Sequence, residues 1–298
     1  KQTKKFVNDI ETYGLIPNGN RRYYLSRSQP PVVSHMARLI FDHSRNWESS
    51  RRQEIDQWIK GPVLRALEKD YSEFWMKKRF DEETGLNFYS DKLNTPRPEA
   101  HSKDKTSDIA KTKKDERGEA ESGQDFSNVF GGRASRTLSV QLNAFLFGYE
   151  KNLAWLSRLT GDKSKANFYQ HQAQKRKQRM DQYLRDDFGL YRNYHIDTKT
   201  QNIGVSAEIF ALLFVEALTP AQAKVMIPQA LKLLEKDGGI AASTYFLSPK
   251  QWDGKYGWAP FQMMAVQGLL NYGYKFSAQR LMEKWIQTNL NIFLTTGQ

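Results

Sequence analysis

The sequence predicts an all-α protein assembled from helical hairpins. Three observations predict it. Apolar residues recur at spacings of three and four over long stretches; short turns marked by Gly or Pro join these stretches in pairs; long polar segments join one pair to the next.

In chain order, residues 1 to 13 place Phe6, Ile10 and Tyr13 on one helical face, so the chain starts inside a helix. Residues 16 to 31 hold Pro17, Gly19, Pro30 and Pro31 among polar side chains, a loop that neither helix nor strand can claim. Val33, Met36, Ala37, Ile40 and Phe41 resume helical spacing. Residues 48 to 60 and 62 to about 79 read as two helices divided at Gly61-Pro62, the second carrying Val63, Leu67, Tyr71, Phe74 and Trp75 on one face. A polar segment follows from about 84 to 132, with a highly charged middle at 101 to 119; a compact domain rarely keeps so long a structureless loop unless the loop is functional. It ends in a polar knot at 121 to 127.

Leu138, Leu142, Phe145, Tyr149, Leu153 and Leu156 then form a helical stripe, Gly161 turns the chain, and a helix over 163 to 184 completes the hairpin. Residues 188 to 197 read as a short extended excursion. Residues 205 to 218 and 220 to 235 make a second hairpin, bent at Pro228, and Gly238-Gly239 stops it. A third knot, 248 to 260, leads into a last hairpin over 261 to 272 and 278 to 293. Since each hairpin returns the chain to the end where it started, the three polar knots should gather at one end of the helical stack and form a single site.

Composition bounds the function. The 298 residues, 39% hydrophobic and 13% aromatic, can bury a large core, and they are read as one domain over 1–298. No apolar run approaches the roughly 20 residues of a membrane helix, and no signal-like apolar block follows the first lysines. The charge of +12 invites nucleic acid, but its densest run, Lys175 to Arg179, lies in a helical pattern where a solvated face is the ordinary explanation; the expectation is no nucleic acid and no membrane. There is no cysteine, and the five histidines show no ligand spacing, so no metal is expected. The compartment stays open between cytoplasm and an export route such as the periplasm.

Residues 16 to 31 read Ile-Pro-Asn-Gly-Asn-Arg-Arg-Tyr-Tyr-Leu-Ser-Arg-Ser-Gln-Pro-Pro, a dense donor and acceptor set suited to a polyhydroxylated ligand. This stretch resembles a signature of the trehalases, inverting glycosidases that split trehalose into two glucose molecules. The resemblance implies an (α/α)6 toroid, here incomplete at about four hairpins and a leading half, a small-molecule substrate in trehalose, and no metal or cofactor. Asn18, Arg27, Ser28 and Gln29 carry over as sugar-binding positions. Glu-Ser-Gly-Gln-Asp-Phe-Ser at 121 to 127 resembles the motif whose aspartate is the general acid, which points to Asp125, with Gly123 admitting close approach of backbone to sugar. Arg97-Pro98-Glu99 is similar to a second sugar-contacting element. Gln251-Trp252-Asp253 with Gly257-Trp258-Ala259-Pro260 resembles a further one, in which Trp252 and Trp258 offer indole faces to a pyranose.

The sequence also departs from the pattern. Gln124 stands where the family usually has tryptophan, Val129-Phe130 where it has Arg-Trp, and Gln141 where Asp precedes Leu-Asn. Arg133 or Arg136 are the candidates to replace the lost guanidinium. The family's upstream Pro-Gly-Gly-Arg-Phe element and its downstream segment bearing the general base are not found in these 298 residues. Inversion needs a second carboxylate roughly 6.5 to 9.5 Å from the acid. Glu99, Glu121 and Asp253 are the carboxylates left near the knots. The alternative to an enzyme is therefore a catalytically degenerate trehalase-like module that binds sugar or regulates.

Overall fold

The computed structural model describes residues 1–100 and 113–297. Among them, helices α1 (Gln2–Tyr13) and α2 (Val33–Ser44) precede a continuous helical rod over 49–78. The rod consists of α3 (Ser49–Trp58), α4 (Leu64–Lys69) and α5 (Met76–Lys78), linked by π-helical turns at Ile59–Val63 and Asp70–Trp75. The break expected at Gly61-Pro62 is thus absent. Pro62 has no N–H to give, and the wider π turn takes it without ending the helix.

The described parts of the polar segment hold more regular structure than its composition suggests. It contains strand β2 (Leu86–Asn87), paired with β1 (Phe80–Asp81), a 3-10 turn at Pro98–Ala100, and α6 (Lys113–Ser122). Asp115 to Ser122 are all buried. Charge survives burial there because partners are supplied. Asp115 accepts from Ser135 N and Oγ at 2.9 and 2.6 Å; Arg117 pairs with Asp91 at 3.1 Å; Glu121 pairs with Arg79 at 2.7 Å. The remainder of the charged stretch, 101–112, lies outside the described residues.

Next come β3 (Thr137–Leu138), α7 (Val140–Leu159) and α8 (Lys163–Tyr183), the last two capped by Ser139 and Asp162. The excursion expected over 188 to 197 contains β4 (Tyr194–His195), which pairs with both β3 and β5 (Thr200–Gln201). A 3-10 turn at Ala207–Ile209 leads into α9 (Phe210–Phe214), shorter than the pattern indicates. Helix α10 (Pro220–Leu234) opens with a complete Thr219/Gln222 capping box and runs through Pro228 without ending. The hairpin β6 (Glu235–Lys236) and β7 (Gly239–Ile240) precedes α11 (Ala259–Asn271) and α12 (Lys275–Thr296).

Helix α7 packs against both α2 and α9, and α9 against α11, so these four form a curved inner row. The rod, α8, α10 and α12 follow them in turn, making four inner-outer pairs with α1 as a leading half: an incomplete (α/α)6 toroid. Glycine sets the spacing of the row. A Cβ on Gly268 of α11 would lie 2.5 Å from Leu213 Cβ and 3.0 Å from the backbone N of Phe214. Beneath the loops at one end, Leu15, Phe74, Trp75, Tyr89, Val129, Phe130, Leu142 and Leu146 form a separate apolar cluster. The polar knots are built on this floor.

Candidate active site

The first loop is zipped at its ends. Pro17 and Ser28 form a β-bridge, Asn18 N donates to Arg27 O at 3.2 Å, and Gln29 N donates to Ile16 O at 2.9 Å. Within it, Arg22–Ser26 forms a 3-10 turn, a regular element that the breakers did not forecast. Asn18 is its hub: Nδ2 donates to Ser28 O at 3.0 Å and to Ala120 O at 3.2 Å, while Oδ1 accepts from Arg27 Nε at 3.0 Å. Arg27 is buried, lies 3.6 Å from Asp91 and forms an ion pair with Glu99. Ser28 N donates to Glu121 Oε1 at 2.8 Å. Three of the four residues assigned to sugar binding in this loop therefore hold the loops to one another, and only Gln29 reaches the cavity described below.

The second knot begins where α6 ends. Gly123 takes φ 76°, a left-handed conformation glycine adopts without strain, and a Cβ there would meet nothing within 4 Å. Asp125 is partly exposed and its Oδ2 accepts from Arg97 NH1 at 3.1 Å. Arg97 is itself buried and lies over the Phe126 ring. The guanidinium thus fixes the carboxylate's direction at the loop surface.

The third knot is tied to the second. Trp252 N donates to Phe126 O at 3.4 Å, Gln251 Nε2 to Asp125 O at 3.3 Å, and Lys250 Nζ to Asn128 Oδ1 at 2.7 Å. Asp253, fully buried, accepts from Asn128 N at 2.9 Å, Ser127 Oγ at 3.1 Å and Ser248 Oγ at 2.7 Å. The indoles of Trp252 and Trp258 stack at 3.9 Å and 6°. Trp258 therefore backs Trp252.

The three knots meet at a cavity of about 410 Å³ whose wall includes Gln29, Gly123, Gln124, Gln141, Trp252 and His35, with Phe145, Phe214, Phe261 and Met264 among its apolar lining. Gln29, Gly123 and Trp252 are the sequence-assigned residues on this wall. Asp125, next in the chain to Gln124 and paired with Arg97, is not itself on this wall, and neither are Asn18, Arg27, Ser28, Arg97, Pro98, Glu99 and Trp258. Val129 and Phe130 are core residues, and Arg136 is drawn off to Asp197 at 2.7 Å, so Arg136 does not replace the lost guanidinium.

The carboxylates left for the base are engaged. Glu121 accepts from Arg79, Ser28 N and Ser90 N, Asp253 is saturated as above, and Glu99 pairs with Arg27. A fourth carboxylate went unnoticed in the sequence. Glu208, fully buried, accepts from Gln124 Nε2 at 2.7 Å and Ser139 Oγ at 3.1 Å; burial pushes its pKa up against these donors. Its signal was present, a lone acid in the apolar run Ala-Glu-Ile-Phe-Ala-Leu-Leu. His35 was also missed. It stacks on Phe214 at 5.3 Å, and burial, helped by Lys151, pushes its pKa down to about 4, so the ring is neutral at pH 7.

Comparison with known proteins identifies the family and the fold. The family model described as Trehalase matches residues 2–298. The periplasmic trehalase of Escherichia coli O139:H28 (strain E24377A / ETEC) is 35% identical over 296 aligned positions, which cover 91% of this chain and 51% of that protein. The chain thus spans about half the length of the curated relatives it matches. The neutral trehalase Nth1 from Saccharomyces cerevisiae superposes with a TM-score of 0.86 at 28% identity, over 99% of this chain and 61% of that one. A GH63 mannosylglycerate hydrolase from Thermus thermophilus, solved in complex with glucose, shares the fold at TM-score 0.65 and 16% identity, over 90% of this chain and 68% of that one. With the hairpin order, the knots in sequence and a match over nearly every residue all in agreement, the chain belongs to the trehalase family.

Proposed function

We propose that this chain carries the acid side of an inverting α,α-trehalase: it binds trehalose in the cavity at the meeting of the three loops, and Asp125 protonates the departing glycosidic oxygen. The observation that supports this best is that two motifs distant in sequence both engage Asp125, Arg97 holding its carboxyl and Gln251 bonded to its backbone carbonyl. Trp252 offers a flat apolar wall for a pyranose, held upright by Trp258. Gln29 and Gln141 supply amides at the same wall. The names of the relatives favour the periplasm as its place of work.

One observation favours a second reading for these 298 residues taken by themselves. Inversion requires a carboxylate free to activate water on the face opposite the acid. Among the described residues near the knots, Glu121 and Asp253 are saturated by structural hydrogen bonds, Glu99 is bound to Arg27, and Glu208 is fully buried beneath Gln124 and Ser139, so sugar binding without turnover is the runner-up.

Glucose release from trehalose by this chain and by Asp125→Asn separates the two. The enzyme reading expects turnover that falls by roughly 10²- to 10⁴-fold in the variant, the range for loss of a general acid. Turnover unaffected by Asp125→Asn contradicts the assignment of the acid. No turnover with retained trehalose binding establishes the second reading.

A further inference from the structure

Gln124 is on the cavity wall with its amide nitrogen committed and its amide oxygen, itself buried, left unpartnered among the described residues. Its Nε2 donates to Glu208 Oε1 at 2.7 Å and to Gln141 Oε1 at 3.2 Å. Two oxygens on one side require the NH₂ end there, because only that end has two hydrogens to give. The amide oxygen is thereby turned away from Glu208 and Gln141. The side chain is 1% exposed, and its Oε1 has no hydrogen-bond partner among the described residues. A buried acceptor left unmet is costly, and a ligand with a donor at that point relieves the cost.

Glu208 holds this arrangement in place. It sits in the 3-10 turn Ala207–Ile209 at the head of α9, and Ser139, the N-cap of α7, donates to the same Oε1 at 3.1 Å. The amide of Gln124 is therefore fixed between the starts of two inner helices. Gln141 is fixed in turn by Tyr89, whose OH donates to its Oε1 at 3.3 Å.

We infer that Gln124 is a specificity-determining contact whose Oε1 accepts a hydrogen bond from a hydroxyl of the bound sugar, and that Glu208 is the positioning residue that aims it. The inference rests on reading the cavity as a sugar site. It goes further by selecting sugars that carry a free hydroxyl at one ring position. An indole at this position, as the resemblance would have it, offers an apolar face and cannot make that selection.

The test is calorimetric binding of trehalose and of a set of monodeoxytrehaloses, each lacking one hydroxyl, to the chain and its variants. For the unaltered chain, one analogue should bind roughly ten- to a hundredfold more weakly than trehalose, as expected when a buried acceptor loses its donor. Gln124→Met keeps the volume and removes the amide, and should reduce that gap to within about twofold. Glu208→Met should reduce it as well, while Glu208→Gln, which keeps an acceptor for Gln124, should preserve it; a merely structural Glu208 would not alter selectivity between analogues. Thermal unfolding of each variant reports folding, and Gln124→Asn, which withdraws the amide by one methylene, serves in place of Gln124→Met should that variant not fold. If trehalose binds but the gap is unchanged in the Gln124 variant, this inference is overturned and the sugar site stands. If the unaltered chain binds neither trehalose nor any analogue, the sugar site and this inference fall together.

Discussion

Glu121 accepts two hydrogen bonds from the Arg79 guanidinium, at 2.7 and 2.9 Å, and one each from the backbone N–H of Ser28 and Ser90. In the sequence it is the first letter of a catalytic-looking motif; in the structure it is the bolt between the end of the rod and the first loop. Glu121→Ala leaves a buried guanidinium unpaired and should destabilise by about 3–5 kcal/mol in denaturant unfolding. Asp70 lies in the second π turn, fully buried, accepting from Trp75 Nε1 at 3.2 Å and Tyr149 OH at 3.0 Å; burial pushes its pKa up to about 7 from the ordinary 3.8. Between these values the native state keeps a proton the unfolded chain has lost, so this group's contribution falls as pH rises from about 4 to about 7 and is level above. His35 acts in the opposite sense: with its pKa near 4 instead of 6.5, stability is lost as pH falls through that window. Thermal unfolding against pH should therefore show a shallow dependence in the unaltered chain. In Asp70→Asn stability should climb steadily from pH 4 to 6.5, and an unchanged profile would mean that Asp70 does not titrate there.

Helical spacing, which needs only the apolar residues, made the inner and outer helices legible. What it could not show was how the rod accommodates Pro62, since a π turn leaves the apolar stripe in place while changing the hydrogen-bond partner. Nor could it show α6, whose Lys-Lys-Asp-Glu-Arg-Gly-Glu-Ala-Glu-Ser reads as solvated; its burial depends on Ser135, Asp91 and Arg79, residues that only the fold brings near. The close approach of α9 and α11 was equally hidden, because it depends on Gly268 meeting Leu213 and Phe214. Gly268→Ala should gain helix propensity of about 1 kcal/mol yet be net destabilising by roughly 1–3 kcal/mol, because backbone atoms stand where the methyl would go. Gly148→Ala on α7 has as its nearest contacts only side-chain atoms, the His35 ring and Val215 Cγ1, and no backbone. Comparative urea melts should find the Gly268 variant the weaker of the two.

On the scale of the molecule, the alternation of short turns with long polar connections was enough to forecast that the three knots gather at one end, and they do meet through Asn18, Asp125, Asn128 and Trp252. The resemblance supplied the toroid and the identity of the loops. It could not tell which polar residues of a motif face the cavity and which tie loops together, because both kinds have the same chemistry and differ only in who their neighbours are. Asn18, Arg27 and Ser28 make hydrogen bonds that join the loops; Gln29, Gly123 and Trp252 line the cavity. Gln124, Gln141 and Glu208 form a hydrogen-bonded unit, its two glutamines on the wall, that the motifs did not disclose. The convergence of the loops on a single sugar site is tested most directly by titrating trehalose into the 298-residue chain and into Gln29→Ala, Gln124→Ala and Trp252→Ala, one variant from each loop. One binding site per chain is expected, weakened in all three variants by about 1–3 kcal/mol, the range for an unmet buried polar group or a lost aromatic contact. Absence of binding, or binding indifferent to all three, would contradict it.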